Sequence, residues 1–214
     1  MSVNGPTVHN AFSEFYYRSF QDYKEFHTKW MGAPIVKCPF DLWIYQEIIY
    51  SQRPDVIVEC GTFLGGSAYY MAHLLDLIGH GEVITIDIEN AVANGATTHP
   101  RITFLQGSST APGIVETVRK ECAGKTVLVI LDSDHTASHV YDEIQAYHSL
   151  VPVGGYMIVE DTNRHAYPGL SKSYGPDEAI RRWQPTNKGF EVDRKIEKFG
   201  FSFNPGGYLK RIRP

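Results

Sequence analysis

The sequence predicts an α/β fold: a mostly parallel sheet with helices on both faces, closed at one edge by an antiparallel hairpin. Three observations predict it. Several short segments are apolar throughout, as strands buried on both faces must be. Segments of helical period separate them. Residues 190–212 instead alternate, turn at "NPGG" and run on, the pattern of an antiparallel hairpin.

The elements follow in order. "DVIVEC" (55–60) reads as a buried strand. "SAYYMAHLLDLIG" (67–79) reads as a helix with Ser67 as its N-cap and Gly79 as its stop. "EVITIDI" (82–88) and "RITFLQG" (101–107) are the next strands. "APGIVETVRKEC" (111–122) reads as helix and "TVLVILD" (126–132) as strand. "SHVYDEIQAYHSLV" (138–151) carries Val140, Ile144, Tyr147 and Val151 at helical spacing. "GYMIVED" (155–161) is the fifth parallel strand. With the hairpin the sheet has seven strands. Before residue 50, Phe12, Phe15, Tyr16, Phe20, Tyr23 and Phe26 recur at helical intervals. The chain is therefore divided into an N-terminal helical or lid segment, 1–50, and a sheet domain, 51–214. Five parallel strands plus a terminal hairpin is the Rossmann-like layout of class I methyltransferases.

Composition bounds the function. The 214 residues suit one domain with a full core. Net charge is −4 with no long run of one sign, which argues against nucleic-acid and anionic-membrane partners. No apolar stretch is long enough for a membrane span, and the N-terminus lacks the basic start and apolar core of a signal peptide. Cys38, Cys60 and Cys122 are odd in number and widely spaced, which fits a reducing cytoplasm rather than a disulfide framework. The aromatic N-terminal helix has two places to pack, its own sheet or a second subunit, so a homo-oligomer is an open expectation.

"VECGTFLGGS" (58–67) joins a strand to a helix through Gly61, Gly65 and Gly66. Glycines there allow a sharp turn and close backbone approach to a ligand. The spacing is not the dinucleotide fingerprint. Glu59 precedes the turn, and an acid there suits a cofactor with a positively charged amino-acid end. Asp87 ends the second strand, where a carboxylate accepts bonds from ribose hydroxyls. Gly107, Ser108 and Ser109 follow the third strand and line an adenine pocket in this reading. Together the three strand ends point to S-adenosylmethionine (SAM), with Ser67 and Asp132 completing the cofactor wall. The alternative is that these are only tight βα turns.

Carboxylates end two more strands: Asp132 with Asp134, and Glu160 with Asp161. Neighbouring parallel strands bring such ends together, and converging carboxylates repel unless a cation joins them. Oxygen ligands select a hard divalent ion, Mg²⁺ first, with Mn²⁺ or Ca²⁺ as alternatives. The competing reading is separate surface acids, with Asp134 or Ser133 capping the helix that starts near 138. His135, three residues past Asp132, is placed to act as general base on a metal-bound hydroxyl; otherwise it is a solvated loop histidine. His139 belongs to the following helix. "HGE" (80–82) resembles part of an iron triad but lies at the opposite end of the sheet.

"LDSDHTASHVYDEIQAYHSLVPVGGYMIVEDTN", "FEVDRKIEKFGFSFNPGGYLKRI" and "GAPIVKCPFDLWIYQEII" resemble the cephalosporin hydroxylase / rhamnosyl O-methyltransferase family over roughly residues 30–212. The resemblance implies a SAM-dependent methyltransferase fold. It also implies a metal held by an acid at the fourth strand end and an acidic pair at the fifth. On this chain the pair is Glu160 and Asp161, and the fourth-strand ligand is Asp132, with Asp134 as the rival. The base in the sugar-modifying relatives falls on His135. The glycine turn departs from the acid-x-G-x-G-x-G common among methyltransferases and follows this family's own version.

The expected activity is therefore metal-dependent O-methyl transfer from SAM to a hydroxyl of a sugar or natural product. Tyr167, Tyr174 and the segment 163–179 are expected to wall the acceptor. Two other classes stand beside it: a β-lactam-modifying hydroxylase component, and a non-catalytic partner subunit of the same fold.

Overall fold

The structure is a computed structural model, and it describes residues 28–163 and 175–214. The aromatic segment from Phe12 to Phe26 lies outside the described residues, as do Tyr167 and Tyr174.

A small hairpin, β1 (Lys29–Trp30) and β2 (Ala33–Pro34), leads into helix α1 (Pro39–Gln52). The alternating strands and helices follow: β3 (Val56–Cys60), α2 (Gly66–Ile78), β4 (Glu82–Asp87), β5 (Ile102–Gln106), α3 (Pro112–Glu121), β6 (Val127–Leu131), α4 (Ala137–Tyr147) and β7 (Tyr156–Val159). Helix α5 (Pro176–Trp183), β8 (Phe190–Val192) and β9 (Tyr208–Arg211) complete the described chain. The seven-stranded sheet has the order β5-β4-β3-β6-β7-β9-β8. The first five strands run parallel, and β9 is antiparallel to both β7 and β8.

Alternation of side chains builds two cores on one sheet. Ile57, Val83, Leu128, Ile130 and Ile158 face α1 and α2, meeting Ile44, Ile48, Met71 and Leu75. Val58, Ile84, Ile86, Val129, Leu131 and Val159 face α3, α4 and α5, meeting Val118, Val140, Ile144 and Trp183. Both faces are covered, which is why the strands read as continuous apolar runs.

Three local readings differ from the structure. The N-cap of α2 is Gly65, left-handed at φ 74°, and Ser67 lies inside the first turn. The Ser67 hydroxyl donates to Glu59 Oε1 instead of to a free helix N–H. The terminal hairpin is real, but its first strand stops at Val192 and the connection runs through 193–207. That connection does not pair as a strand because its polar groups bond elsewhere: Ser202 Oγ and the Phe203 N–H both donate to the buried Asp41 carboxylate. Thirdly, α1 spans the expected division at residue 50 and packs into the core with α2.

Strand β3 sits between β4 and β6. The chain leaves it first toward β4 and β5, then returns to build β6 and β7 on the other side. Ligands of open α/β sheets bind beyond the strand ends at such a reversal.

Candidate active site

A cleft of about 520 Å³ opens at the C-terminal ends of β3, β4, β5, β6 and β7. That volume is in the range of small-molecule sites. Its walls include Gly61, Gly66, Ser67, Asp87, Ser108, Ser109, Asp132, Asp134, His135 and Asp161, so most of the expected site residues share one cavity. Glu59, Gly65 and Glu160 are not on the wall.

The glycine turn is shaped by chain packing. A side chain at Gly61 (φ 97°) would place its Cβ 1.9 Å from the Asp132 carbonyl oxygen. Glycine thus lets the ends of β3 and β6 close on each other. A Cβ at Gly66 would lie 1.9 Å from the Pro34 carbonyl oxygen. Here glycine lets the segment after β2 cross the start of α2. Both glycines also line the cleft, so the same missing side chains leave the turn's backbone open to it.

Asp87 stands at the end of β4. Its Oδ2 accepts the Phe63 N–H at 2.8 Å and its Oδ1 accepts the Glu89 N–H at 3.0 Å. It ties the glycine turn to the β4 end while lining the cleft. Glu59 is fully buried, and its carboxylate accepts from the Ser67 and Thr85 hydroxyls. Burial pushes its pKa up, against the opposing pull of Lys37.

The acids at the ends of β6 and β7 divide into two groups. Asp132, His135 and Asp161 offer one ligand atom each within 4.8 Å of one another, the one such group among the described residues. His135 Nε2 lies 3.1 Å from Asp132 Oδ1 and 3.3 Å from Asp161 Oδ2. Asp161 is held at φ 54°, an uncommon backbone for a non-glycine residue, and its N–H donates to Asn204 Oδ1 at 2.9 Å. Strain of this kind, over-determined by neighbours, gathers at functional sites. Two carboxylates and an imidazole at a cleft rim suit a divalent cation by donor chemistry.

Glu160 is buried beside Asp132, with which it shares Lys37. It is 4% exposed, and its Oε1 accepts from Tyr45 OH and Lys37 Nζ, each at 2.5 Å. Lys37 also donates to Asp132 Oδ2. Burial and the charge of Asp132 raise the Glu160 pKa well above the usual carboxylate range. Burial would raise Asp132 too, but Lys37 and His135 outweigh it and hold that carboxyl below its usual value. Asp134 is exposed and stands outside the three-residue group; its Oδ1 accepts the Thr136 N–H at 2.8 Å in the turn before α4.

Sequence reasoning missed three supporting side chains. Lys37 sits in "IVKCPF", where nothing marks it as buried. Glu143 of α4 is fully buried, and its Oε1 accepts from Ser109 Oγ and Ser133 Oγ, one from each of two strand-end loops. Asn204, from the "NPGG" turn, supports Asp161. The nearest signal was the α4 helical pattern, which puts Glu143 one turn beyond His139. His139 does lie in α4, with Nε2 3.1 Å from Ser109 Oγ.

The strand order and the cleft at the β3/β6 reversal define the fold of the class I SAM-dependent methyltransferases. Within that class the chain belongs to the rhamnosyl O-methyltransferase/CmcI family, whose model matches residues 22–212. It is 37% identical over 192 residues to a rhamnosyl O-methyltransferase of Mycobacterium leprae, covering 86% of this chain and 83% of that one. The apo structure of CmcI-N160 superposes with a TM-score of 0.68 at 22% identity, over 87% of this chain and 77% of that one. The Mg-SAM structure of CmcI-D160 gives 0.67 at 21% identity, over 88% and 78%.

Proposed function

We propose that this chain transfers a methyl group from SAM to a hydroxyl of a sugar or natural-product acceptor, assisted by a divalent cation, Mg²⁺ first. One observation carries the reading: Asp132, His135 and Asp161 converge at the rim of a cleft whose other wall is Gly61, Asp87 and Ser108. Family membership supports the reaction class, since the curated relative is a rhamnosyl O-methyltransferase and the CmcI-D160 structure holds Mg and SAM.

Each residue has a stated task. Asp87 accepts from the ribose hydroxyls, and Ser108 and Ser109 border the adenine. Gly61, Gly65, Gly66 and Ser67 form the turn along the amino-acid end, above the buried charge of Glu59. Asp132 and Asp161 would hold the cation, with Glu160 as the third candidate ligand behind them. A divalent ion there supplies a Lewis acid that lowers the pKa of an acceptor hydroxyl and fixes its place. His135 takes the hydroxyl proton on Nε2; its neighbours Asp132 and Asp161 stabilise the imidazolium that results. SAM brings an already activated methyl group, so alignment of donor and acceptor accounts for much of the acceleration.

The acceptor is a small molecule, and the described residues contain no helix long and apolar enough to cross a membrane. Cys38, Cys60 and Cys122 are all buried free thiols, which supports a cytoplasmic setting. Calorimetry with SAM, with and without Mg²⁺, tests the reading, followed by methyl transfer to a panel of hydroxylated sugars. Saturable SAM binding and transfer to a sugar hydroxyl are expected. Absence of SAM binding overturns it.

A further inference from the structure

Phe63 is an aromatic cleft residue that this mechanism does not use. It lies in the glycine turn between Gly61 and Gly65, lines the cleft and is 60% exposed. The Gly65 N–H donates to the Thr62 carbonyl at 2.8 Å, closing a four-residue turn in which Phe63 takes the second position. Its φ is 49°. Turns with positive φ at that position use glycine, asparagine or aspartate, because a bulky side chain is strained there. The chain places glycine at 61, 65 and 66 around this turn, yet an aromatic residue at 63. The other non-glycine residues with positive φ among those described have evident tasks. Met31 turns the β1–β2 hairpin, Arg53 caps α1, and Asp161 belongs to the candidate cation site. The strain at Phe63 holds a largely exposed aromatic residue at the cleft wall.

Its place is set on two sides. The Phe63 N–H donates to Asp87 Oδ2 at 2.8 Å, so the residue is tied to the carboxylate assigned to the ribose. On the other side the turn continues through Gly65 and Gly66 to Ser67, the stretch assigned to the amino-acid end. In SAM the sulfonium joins those two parts, the ribose and the amino-acid chain. A residue that bridges the two subsites therefore stands beside the positive sulfur. An aromatic face attracts a cation through its quadrupole. It does so without adding a negative charge to a wall that already holds Asp87, Asp132, Asp134 and Asp161.

Resting on the SAM reading above, we propose that Phe63 is a specificity-determining residue: its ring meets the sulfonium and favours the charged donor over the neutral product, S-adenosylhomocysteine. Loss of the methyl group leaves a neutral thioether, so the contact that holds the donor weakens once the product has formed.

Calorimetric titration of the full chain with SAM and with S-adenosylhomocysteine, at one fixed Mg²⁺ concentration, tests this without turnover. Phe63→Leu keeps an apolar side chain and removes the π face. It should bind SAM about tenfold more weakly and change S-adenosylhomocysteine binding by less than about twofold. Phe63→Tyr restores the face and should stay close to wild type for both ligands. Phe63→Gly should show the same selective loss for SAM, with a urea midpoint unchanged or higher, because glycine adopts this φ without strain. Equal losses for both ligands in Phe63→Leu, or no loss, overturn the proposal. A change confined to the acceptor's KM would assign the ring to the acceptor and overturns it too. A wild-type chain that binds neither ligand instead overturns the SAM reading itself.

Discussion

At the N-terminal ends of the parallel strands, Asp55 pairs with His80, and Glu82 pairs with Lys125. At the C-terminal ends, Asp132 pairs with His135, and Glu160 pairs with Lys37. The residue types match; the surroundings do not. His80 and Asp55 are 45% and 36% exposed in their side chains, while Lys37 and Glu160 are each 5% exposed. Water solvates the first pair whether or not it forms. The second pair has no such alternative, so its members depend on each other. The protein therefore concentrates electrostatic strain at one end of the sheet, the end that holds the cleft. "HGE" at the other end bonds into an exposed turn, with His80 Nε2 2.7 Å from Asp55 Oδ1.

Substitutions can break this contrast, beginning at the buried end. Lys37→Met, measured by urea denaturation of the metal-free protein, should cost about 3–5 kcal/mol, because it strands Glu160 in the interior. A loss below about 1 kcal/mol would mean that the pair is no more important than a surface one. Asp132→Asn should lower methyl transfer by at least about 100-fold, since it weakens both the ion's ligand set and the partner of His135. Steady-state rates at saturating SAM check this, and a loss of less than about tenfold would assign Asp132 a structural role only.

His139 lies between the two extremes and sharpens the comparison by pH. Its hydrogen bond to Glu143 raises its pKa above the usual value. The folded state therefore favours the protonated ring more than the unfolded chain does. The stability this contributes is full below the unfolded histidine pKa and fades as pH rises through the raised one. The stability gap between wild type and His139→Gln should be larger near pH 6 than near pH 8. A gap that widens toward pH 8 would contradict the assignment. The smallest effect belongs to the exposed end: His80→Gln should change stability by no more than about 0.5 kcal/mol.

Much of this was readable from sequence, for identifiable reasons. A strand buried on both faces has to be apolar along its length, so "VLVIL" and "YMIV" announced themselves. A carboxylate at the end of such a strand has no packing role, so Asp132 with Asp134 and Glu160 with Asp161 stood out. Glu160 was grouped with Asp161 because the two are adjacent; its buried partners Lys37 and Tyr45 had no local sign. Lys37 was invisible because its partners are 95 and 123 residues away, and nothing local distinguishes a buried lysine from a solvated one. The same holds for Asn204, which reaches Asp161 across 43 residues. The alternation at 190–203 suggested a long strand; the distant Asp41 instead takes the Ser202 and Phe203 donors.

The central claim is that this cleft performs cation-assisted methyl transfer to a hydroxyl. Its most direct test follows transfer from labelled SAM to a hydroxylated sugar while EDTA and then Mg²⁺ are added. The account predicts loss of transfer in EDTA, recovery with Mg²⁺, and no recovery in Asp161→Asn. Full activity in EDTA, retained in that variant, would contradict it.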